Sequence, residues 1–141
     1  MDKIWLRHYP PGVPHTIDPS AYRSLVALMD EGFSRHVRLS AFGFMGQRWQ
    51  FADIDVASRA MAAYLQSLGL AKGDRVAVIA HNRLEWMEIY AGMARAGLVV
   101  VPLNFRLSAP EVGYILGHAE VAAVVAGPGF CAVVDAARAE L

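Results

Sequence analysis

Two stretches in the first half of the chain carry apolar residues at helical spacing. The first covers residues 22–33, with apolar positions at Leu25, Val26, Leu28, Met29 and Phe33. The second begins near Ala52, with apolar positions at Ala57, Ala60, Met61, Tyr64, Leu65 and Leu68. Spacings of three and four residues place these side chains on one face of a helix. We therefore predict two amphipathic helices, the second of which ends at Gly69.

Two short extended runs, residues 41–45 and 48–51, lie between these helices and flank Gly46. A glycine at the junction permits the positive φ angle of a tight turn, because it has no Cβ atom. The pattern therefore predicts a β-hairpin.

Three valine-rich runs, residues 75–79, 98–102 and 121–126, are apolar on both faces. This composition is typical of strands in a parallel sheet that helices cover on both sides. The runs are evenly spaced, and each gap holds one helical pattern. We therefore predict an α/β fold in which a βαβαβ unit with right-handed crossovers forms a parallel sheet with flanking helices.

The helix in the first gap has signals for its start, its buried face and its end. Asn82 is placed to cap it, with Glu85 three residues later, and Gly97 is placed to end it. Its predicted buried stripe consists of Leu84, Met87, Ala91 and Ala94.

The helix in the second gap begins with a capping box formed by Ser108 and Glu111, and Pro110 suits its first turn. Its predicted inward-facing residues are Val112, Ile115 and Leu116.

The two ends of the chain differ from this regular pattern. Prolines at positions 10, 11, 14 and 19 remove backbone donors, so residues 1–20 are predicted to form an extended arm without a helix or paired strand. Residues 21–141 form the α/β unit. A last helical pattern begins near Cys131 and reaches Leu141 without a cap. We expect an incomplete domain that stops within this helix.

Composition narrows the class of protein. Hydrophobic residues make up 55% of the 141, which is enough for a core, and 13 basic residues balance 13 acidic ones. Without a basic field, nucleic-acid binding is not expected. The single cysteine, Cys131, lies in an apolar run and is predicted to pack as a small hydrophobe, as suits a reducing cytoplasm. No signal peptide or transmembrane segment is predicted.

Few residues suggest chemistry. The histidines, at positions 8, 15, 36, 81 and 118, lack the spacing of a metal site. Of the five, His81 is the best placed for a functional role, because it follows a strand at the edge where α/β proteins bind ligands. The leading interpretation of His81 is nevertheless a loop histidine near a helix cap. Residues 127–129, Gly-Pro-Gly, follow another strand, but Pro128 removes an amide that a phosphate would need, so we predict a plain turn. The turn at residues 69–73 is also predicted to be structural.

Five further residues receive structural interpretations. Asp53 and Asp55 lie in the first turn of a predicted helix, where carboxylates favour the helix dipole. Three aromatic residues at helical or strand spacing are predicted to be core residues: Trp49, Trp86 and Tyr90. The alternative is that they line an apolar pocket.

Several motifs together resemble a known family. They are residues 73–78, Gly-Asp-Arg-Val-Ala-Val, then Asn82, then residues 94–97, Ala-Arg-Ala-Gly, and residues 99–104, Val-Val-Val-Pro-Leu-Asn. This order is similar to the opening of the adenylate-forming acyl-CoA synthetases. The leader, residues 1–14, resembles that of bacterial long-chain fatty acid CoA ligases in particular. The resemblance implies that the α/β unit is the first part of a large N-terminal AMP-binding domain.

The resemblance also implies an activity for a longer parent protein. Such enzymes use ATP and Mg²⁺ to adenylate a fatty acid, release pyrophosphate, and transfer the acyl group to CoA. Their phosphate loop, magnesium-binding glutamate, ribose-binding aspartate and catalytic lysine are expected beyond Leu141. We therefore assign no catalytic, cofactor-binding or metal-binding residue to this chain and expect it to be inactive alone.

Some points stay open at this stage. Gln50, His81 and His118 depart from the residues that the family resemblance leads us to expect. A medium-chain or aromatic acyl-CoA ligase has a similar opening, and a non-catalytic module that binds an acyl chain or a partner is a further alternative. Family precedent implies a cytoplasmic parent that contacts the inner membrane face peripherally and forms a homodimer.

Overall fold

The computed structural model describes residues 2–139, and its elements follow one another in a regular order. They are a 3₁₀ helix at Ile4–His8, α1 at Leu25–Arg35, β1 at Ser40–Phe44, β2 at Gln47–Gln50, α2 at Phe51–Ser67, β3 at Arg75–Ile79, α3 at Glu85–Ala96, β4 at Val99–Pro102, α4 at Ala109–His118, β5 at Val121–Ala126, a 3₁₀ turn at Pro128–Phe130 and α5 at Cys131–Arg138.

The three valine-rich runs form a parallel sheet, as predicted. The strand order is β4-β3-β5, so β3 is the central strand and pairs in parallel with both neighbours. Two strands have the predicted bounds, whereas β4 begins one residue later than expected. Leu98 lies outside the strand because its N–H donates to the carbonyl of Met93 at 2.9 Å, which closes the end of α3.

Helices cover both faces of the sheet, and alternate residues of β3 separate the two layers of core. Val76 and Val78 pack with residues of α2 and α3. Ala77 and Ile79 pack with residues of α4 and α5. All four side chains are fully buried. This central position explains why β3 is apolar on both faces, and the prediction of an α/β fold with flanking helices is confirmed.

The predicted hairpin is also present. Strands β1 and β2 pair antiparallel, and Met45 and Gly46 both have positive φ angles, 47° and 81°. Positive φ at both central positions is the geometry of the tight hairpin turn that matches the twist of the strands. Gly46 therefore has the conformation that its position in the sequence indicated.

Helix α2 forms where predicted, but its buried face is rotated from the predicted one. Its buried residues are Ile54, Ser58, Ala62 and Leu65. Tyr64 and Leu68, which belonged to the predicted stripe, are 59% and 55% exposed. The helix ends near Gly69, with φ 84°, as expected. The buried face is decided by the close approach of α3, so the polar Ser58 is buried while larger apolar side chains remain outside.

The predicted start of α3 is wrong. The residue that precedes the helix is Leu84, and Asn82 does not cap it. Glu85 binds Arg83 instead, with 2.7 Å between the guanidinium and the carboxylate, so its side chain is not part of a capping box. Gly97 ends the helix with φ 74°, as predicted.

The buried stripe of α3 also differs from the predicted one. Met87 and Ala94 are only half-buried, whereas the residues buried within the helix are Ile89, Ala91, Gly92, Met93 and Ala96. The helix is covered by both α2 and the sheet, which buries more than one stripe.

Helix α4 begins with the predicted capping box. The backbone N–H of Ser108 donates to a carboxylate oxygen of Glu111 at 2.8 Å. The hydroxyl of Ser108 donates to the same oxygen at 2.6 Å. Val112 and Leu116 are buried and Ile115 is half-buried, as expected. These hydrogen bonds hold the pKa of the Glu111 carboxyl below its ordinary value.

The N-terminal region contains more helix than predicted. A 3₁₀ helix occupies Ile4–His8, ahead of the first proline, and is closed by local bonds such as Leu6 N–H to Lys3 carbonyl at 3.0 Å. Helix α1 begins at Leu25, after the Ser24 hydroxyl accepts the Ala27 N–H at 3.1 Å. A short 3₁₀ helix requires only local hydrogen bonds. The segment Ile4–His8 contains no proline, so this helix forms even though prolines follow it.

Two predictions fall near the C-terminal end. Cys131 is exposed at the start of α5, so the prediction that it packs as a buried hydrophobe is wrong. Helix α5 ends at Arg138. The predicted helix residues 140 and 141 lie outside the described part of the chain.

Candidate functional site

Three aromatic side chains meet at the carboxyl edge of the sheet, and we call this group the carboxyl-edge cluster. His81 follows β3, Phe105 follows β4 and Phe130 follows β5. The ring of His81 lies 4.7 Å from that of Phe105 and 4.9 Å from that of Phe130, with edge-on geometry in both cases. The exposed His81 therefore connects the loops that follow all three strands.

Backbone contacts fix these loops. The carbonyl of His81 accepts the indole N–H of Trp86 at 2.8 Å, which ties the loop after β3 to helix α3. A Cβ atom built at Gly127 would lie 3.4 Å from the Phe130 ring and 3.5 Å from Cβ of Ala80, which are ordinary van der Waals contacts, so the loops after β3 and β5 lie close together here. The sequence identified His81 as the best candidate, but neither phenylalanine was singled out, because only the topology places them together.

The Gly-Pro-Gly turn does not fit a phosphate group. The N–H of Gly127 donates to the carbonyl of Ile79 at 2.8 Å, and the N–H of Phe130 donates to the carbonyl of Gly127 at 2.8 Å. Pro128 has no N–H to offer. A phosphate cradle requires several free amides that point at the anion, and the backbone of Gly127, Pro128 and Phe130 does not supply them.

The described residues do not fit a metal ion either. Within residues 2–139, His, Cys, Asp and Glu side chains do not gather in groups of three or more that could hold one. His15, His36 and His118 pack instead against the rings of Tyr9, Phe51 and Tyr114, respectively. Mg²⁺ requires several oxygen ligands close together, and the described residues do not provide such a group.

A buried arginine connects the three helices on one side of the molecule. The Arg95 side chain is only 7% exposed and its guanidinium lies 2.7 Å from the carboxylate of Asp30 and 2.6 Å from that of Asp55. It also donates to the hydroxyl of Ser58 at 3.0 Å and lies 5.6 Å from the ring of Phe33. The network thus joins α1, α2 and α3.

The sequence alone does not reveal this network. Asp55 was predicted only to favour the helix dipole, and no pattern in the sequence marks Asp30 or Ser58. An arginine in the last turn of a helix is ordinarily a solvent-exposed residue. Only the packing of α1 over α2 and α3 shows that Arg95 is enclosed. The network stabilises the scaffold, and none of its groups lies at the carboxyl-edge cluster.

The three predicted core aromatics are half-buried and border surface clefts. Trp86 and Tyr90 line a cleft of about 370 Å³ along α3, with ring centroids 5.2 Å apart. Trp49 borders a second cleft with Val56 and Glu88. Trp86 packs against the core on the α2 and α3 side, as predicted, and also lines a cleft. Trp49 and Tyr90 are half-buried residues at the borders of the clefts.

Burial raises the pKa of two groups near these clefts. Burial, and then the neighbouring charge of Glu85, raises the pKa of the Glu88 carboxyl above its ordinary value. Burial also raises the pKa of the Tyr90 hydroxyl. Neither group lies beside a nucleophile or a metal ligand set within the described residues, so the shifts bear on stability rather than on catalysis.

The parallel sheet and its helix-covered faces define the class: the first strands of an α/β domain. The sequence profile of the AMP-binding enzyme family matches residues 29–140. The chain belongs to this family.

Similar proteins carry more specific names. The long-chain-fatty-acid–CoA ligase of Salmonella typhimurium is 40% identical over 126 residues, which are 89% of this chain and 22% of the relative. The ligase of the same name from Haemophilus influenzae is 34% identical over 136 residues, 96% of this chain and 24% of the relative. This chain thus spans about a quarter or less of the length of these curated relatives.

Solved structures agree with the fold. The N-terminal domain of FACL13 from Mycobacterium tuberculosis superimposes with a TM-score of 0.78 at 33% identity, covering 84% of this chain and 30% of that one. The anthranilate CoA ligase AuaEII gives a TM-score of 0.80 at 20% identity and covers 85% of this chain and 23% of that one. The latter likeness concerns the fold alone.

The structure contains no helix, within residues 2–139, that is long and apolar enough to cross a membrane.

Proposed function

We propose that this chain is the opening part of an AMP-forming long-chain fatty acid CoA ligase. The reaction of the whole enzyme converts ATP, a fatty acid and CoA into acyl-CoA, AMP and pyrophosphate through an acyl-adenylate. The observation that carries the proposal is 40% identity over 126 residues to ligases of that name. An identity of this level over 89% of the chain favours a shared activity over a shared fold alone.

The role we propose for the described residues is that of a scaffold. Neither the Gly-Pro-Gly turn nor the acidic residues fit ATP phosphates or Mg²⁺, so the groups that bind them belong to other parts of the enzyme. The central strand β3 and its two neighbours fix the loops that carry His81, Phe105 and Phe130. These loops form an aromatic surface at the edge where ligands bind in parallel α/β sheets.

A medium-chain or aromatic acid is the second candidate substrate. The likeness to an anthranilate CoA ligase does not separate it from the first candidate, because at 20% identity that likeness concerns the fold alone. A non-catalytic module that binds an acyl chain or a partner protein is the third candidate. Exposed apolar side chains such as Ile4, Val56 and Tyr114 favour a further contact surface, but they do not distinguish an acyl chain from a protein.

For the whole enzyme we also propose a cytoplasmic location, peripheral contact with the inner membrane face and a homodimeric state. The support is the family relationship, since substrates with long acyl chains partition into membranes.

The experiment is a comparison of acyl-CoA formation by two polypeptides. One is the chain of residues 1–141, and the other is a longer polypeptide that continues through the adjoining reading frame. Each is incubated with ATP, CoA and a panel of long-chain, medium-chain and aromatic acids. We expect palmitate-like acids to be converted by the longer polypeptide only.

Each other outcome has a definite meaning. Preference of the longer polypeptide for aromatic or medium-chain acids would replace the long-chain proposal. Turnover by residues 1–141 alone would refute the scaffold role. Absence of turnover with all acids, together with binding of an acyl chain by residues 1–141, would support the non-catalytic module.

A further inference from the structure

The end of the β1–β2 hairpin, residues 42–48, presents apolar side chains to solvent. Every residue in this range is exposed. Met45 at the turn is 87% exposed, and Phe42 and Phe44 on β1 are 40% and 39% exposed. Apolar side chains that protrude together from a surface mark a site of contact with a partner or a membrane. We call residues 42–48 the hairpin tip.

The strand register gives the hairpin tip two different faces. Gly43 on β1 is directly opposite Arg48 on β2, so these two residues share a face. Phe42 and Phe44 alternate with Gly43 along the strand and therefore lie on the other face. Met45 lies at the turn between the strands. The tip thus combines an apolar face and an apolar end with a cation on the opposite side.

The base of the hairpin is attached to helix α2. The N–H of Phe51 donates to the carbonyl of Leu39 at 3.2 Å, and the N–H of Ala52 donates to the carbonyl of Val37 at 3.2 Å. Trp49, near the base, is half-buried beside the first turns of α2. The exposed tip therefore projects from a base that is fixed to the rest of the molecule.

The hairpin region carries positive charge, although basic and acidic residues balance over the whole chain. Between Glu31 and Asp53 the sequence contains three arginines, at positions 35, 38 and 48, and no aspartate or glutamate. Arg35 pairs with Glu31 at 3.1 Å. Arg38 and Arg48 are exposed, and the ion pairs within residues 2–139 do not include them. The surroundings of the tip therefore attract a negatively charged partner.

We propose that the hairpin tip binds the surface of a lipid bilayer that contains anionic headgroups. Phe44 and Met45 enter the boundary between headgroups and acyl chains, while Arg48 reaches the headgroup phosphates and Arg38, at the base, adds to the attraction. Apolar side chains beside basic ones are the combination that anionic membrane surfaces bind. Insertion is shallow, because the outer edges of a two-stranded hairpin keep backbone groups that need water. The inference deepens the proposed membrane contact of the whole enzyme and rests on that proposed function.

A second copy of this chain fits the tip less well than a bilayer does. A symmetric contact through the tip would place the same positively charged patch of each copy against the other. No carboxylate of residues 32–52 is available to compensate those charges. An anionic bilayer supplies both the missing negative charge and an apolar layer for Met45. Binding there also holds the enzyme at the place where long-chain acids partition.

Sedimentation with vesicles tests the proposal on the longer polypeptide. At low salt we expect binding to vesicles with about one third phosphatidylglycerol to be at least about 10-fold tighter than to pure phosphatidylcholine, and to weaken as salt is added. Phe44→Thr combined with Met45→Ser should lower the affinity about 10-fold. Arg48→Gln should lower it about 5-fold. The matched controls Tyr114→Ser and Arg138→Gln, on α4 and α5, should leave it unchanged. Equal binding by all these variants would overturn the proposal.

A fluorescent label identifies the part of the surface that meets the lipid. Cys131→Ser first removes the exposed thiol. Met45→Cys then carries an environment-sensitive dye at the tip, and Tyr114→Cys carries the same dye on α4, where the side chain is 71% exposed. We expect the dye at position 45 to brighten and shift to the blue on anionic vesicles, with no change at position 114. The reverse result would refute the hairpin tip as the contact. Circular dichroism verifies the fold of each variant.

Other outcomes separate the alternatives. Amides of the tip that are protected from hydrogen exchange in the longer polypeptide without vesicles, but not in residues 1–141, would show that the rest of the enzyme covers the tip, and would refute the proposal. Self-association that Met45→Ser abolishes would assign the tip to a second copy and refute it as well.

Acyl-CoA formation is measured on the same samples. A longer polypeptide that is active but does not bind vesicles refutes the inference about the hairpin tip and not the ligase. Binding through the tip without acyl-CoA formation from any acid supports the inference and refutes the ligase.

Discussion

Gly92 determines how closely α3 approaches α2. A Cβ atom at this position would lie 2.6 Å from Cγ of Met61 and 3.1 Å from the carbonyl oxygen of Ser58. It would also lie 2.7 Å from Cβ of Met61, which is fixed to the α2 backbone, so rotation of the Met61 side chain does not relieve the overlap. The small size of Gly92 therefore matters for packing rather than for backbone conformation.

We expect Gly92→Ala to lower the free energy of unfolding by about 1–3 kcal/mol, because the added methyl group overpacks the helix contact. Urea unfolding followed by circular dichroism measures the change. Gly32→Ala in α1 is the matched control, since nothing lies within 4 Å of the position. That variant should be more stable by about 0.5–1 kcal/mol through its better helix propensity. A stable Gly92→Ala protein would mean that α2 and α3 separate easily.

Glu88 makes stability depend on pH. Its pKa is raised in the folded protein, so its contribution favours the folded state below the ordinary pKa of a glutamate and is lost as pH rises through the folded pKa. Glu88→Gln removes the partly buried charge. At pH 7 the variant should therefore unfold at a higher urea concentration than the unmodified protein. Near pH 4, which is about the ordinary pKa of a glutamate, the two proteins should unfold at the same urea concentration.

Glu111→Gln is the control with the opposite sign. The pKa of Glu111 is lowered, so its contribution is present above the ordinary pKa and is lost as pH falls. This variant should be less stable at pH 7 and unchanged at low pH. If both variants showed the same pH dependence, the two carboxyls would not have pKa shifts of opposite sign, and the assignment would be refuted.

At the scale of elements, the Arg95 network decides how α1 is attached. Arg95 on α3 binds Asp30 on α1 and Asp55 on α2. The two carboxylates are partly exposed, so the network is intermediate between a surface pair and a buried one. Without the Arg95 guanidinium, the Asp30 and Asp55 carboxylates would retain only the exposed Arg59 as a cationic partner.

Arg95→Met is expected to cost about 2 kcal/mol of unfolding free energy, between the values for surface and buried pairs, and to increase amide exchange throughout α1. Arg59→Met is the control, because Arg59 contacts the same two aspartates from an exposed position. It should change neither stability nor exchange in α1 appreciably. Similar effects of the two substitutions would show that the network acts only by surface charge.

The elements themselves were largely predictable, and the contacts between them were not. Ser108, Pro110 and Glu111 define the start of α4 by local bonds, which the sequence shows directly. The start of α3 escaped prediction because Glu85 binds Arg83 instead of capping the helix. In the candidate site, His81 could be singled out by its place after a strand, whereas Phe105 and Phe130 depend on which strands are neighbours.

At the scale of the whole molecule, β3 couples the two layers of core. Ile79 faces α4 and α5, while Trp86 packs on the opposite side with α2 and α3. Because one strand serves both layers, loss of packing on one side should destabilise the other. The structure therefore predicts a single cooperative unfolding transition.

Ile79→Ala tests this coupling and should cost about 2–5 kcal/mol, as for other large-to-small substitutions in a core. Unfolding is followed by Trp86 fluorescence in a protein whose Trp5 and Trp49 are replaced by phenylalanine, and by circular dichroism. The two signals should shift together in the variant. A fluorescence transition that stays unchanged while the other shifts would show that the layers unfold independently.

The sequence by itself determined the local structure: the valine-rich strands, the hairpin turn at Gly46, the ends of the helices at Gly69 and Gly97, and the family. These features depend on side-chain period, on φ preferences and on short hydrogen bonds, all of which act between residues that are near in the chain. Tertiary structure decided the rotated face of α2, the enclosure of Arg95, and the meeting of His81 with two phenylalanines. Each depends on which elements become neighbours, and that is fixed only when their surfaces pack together.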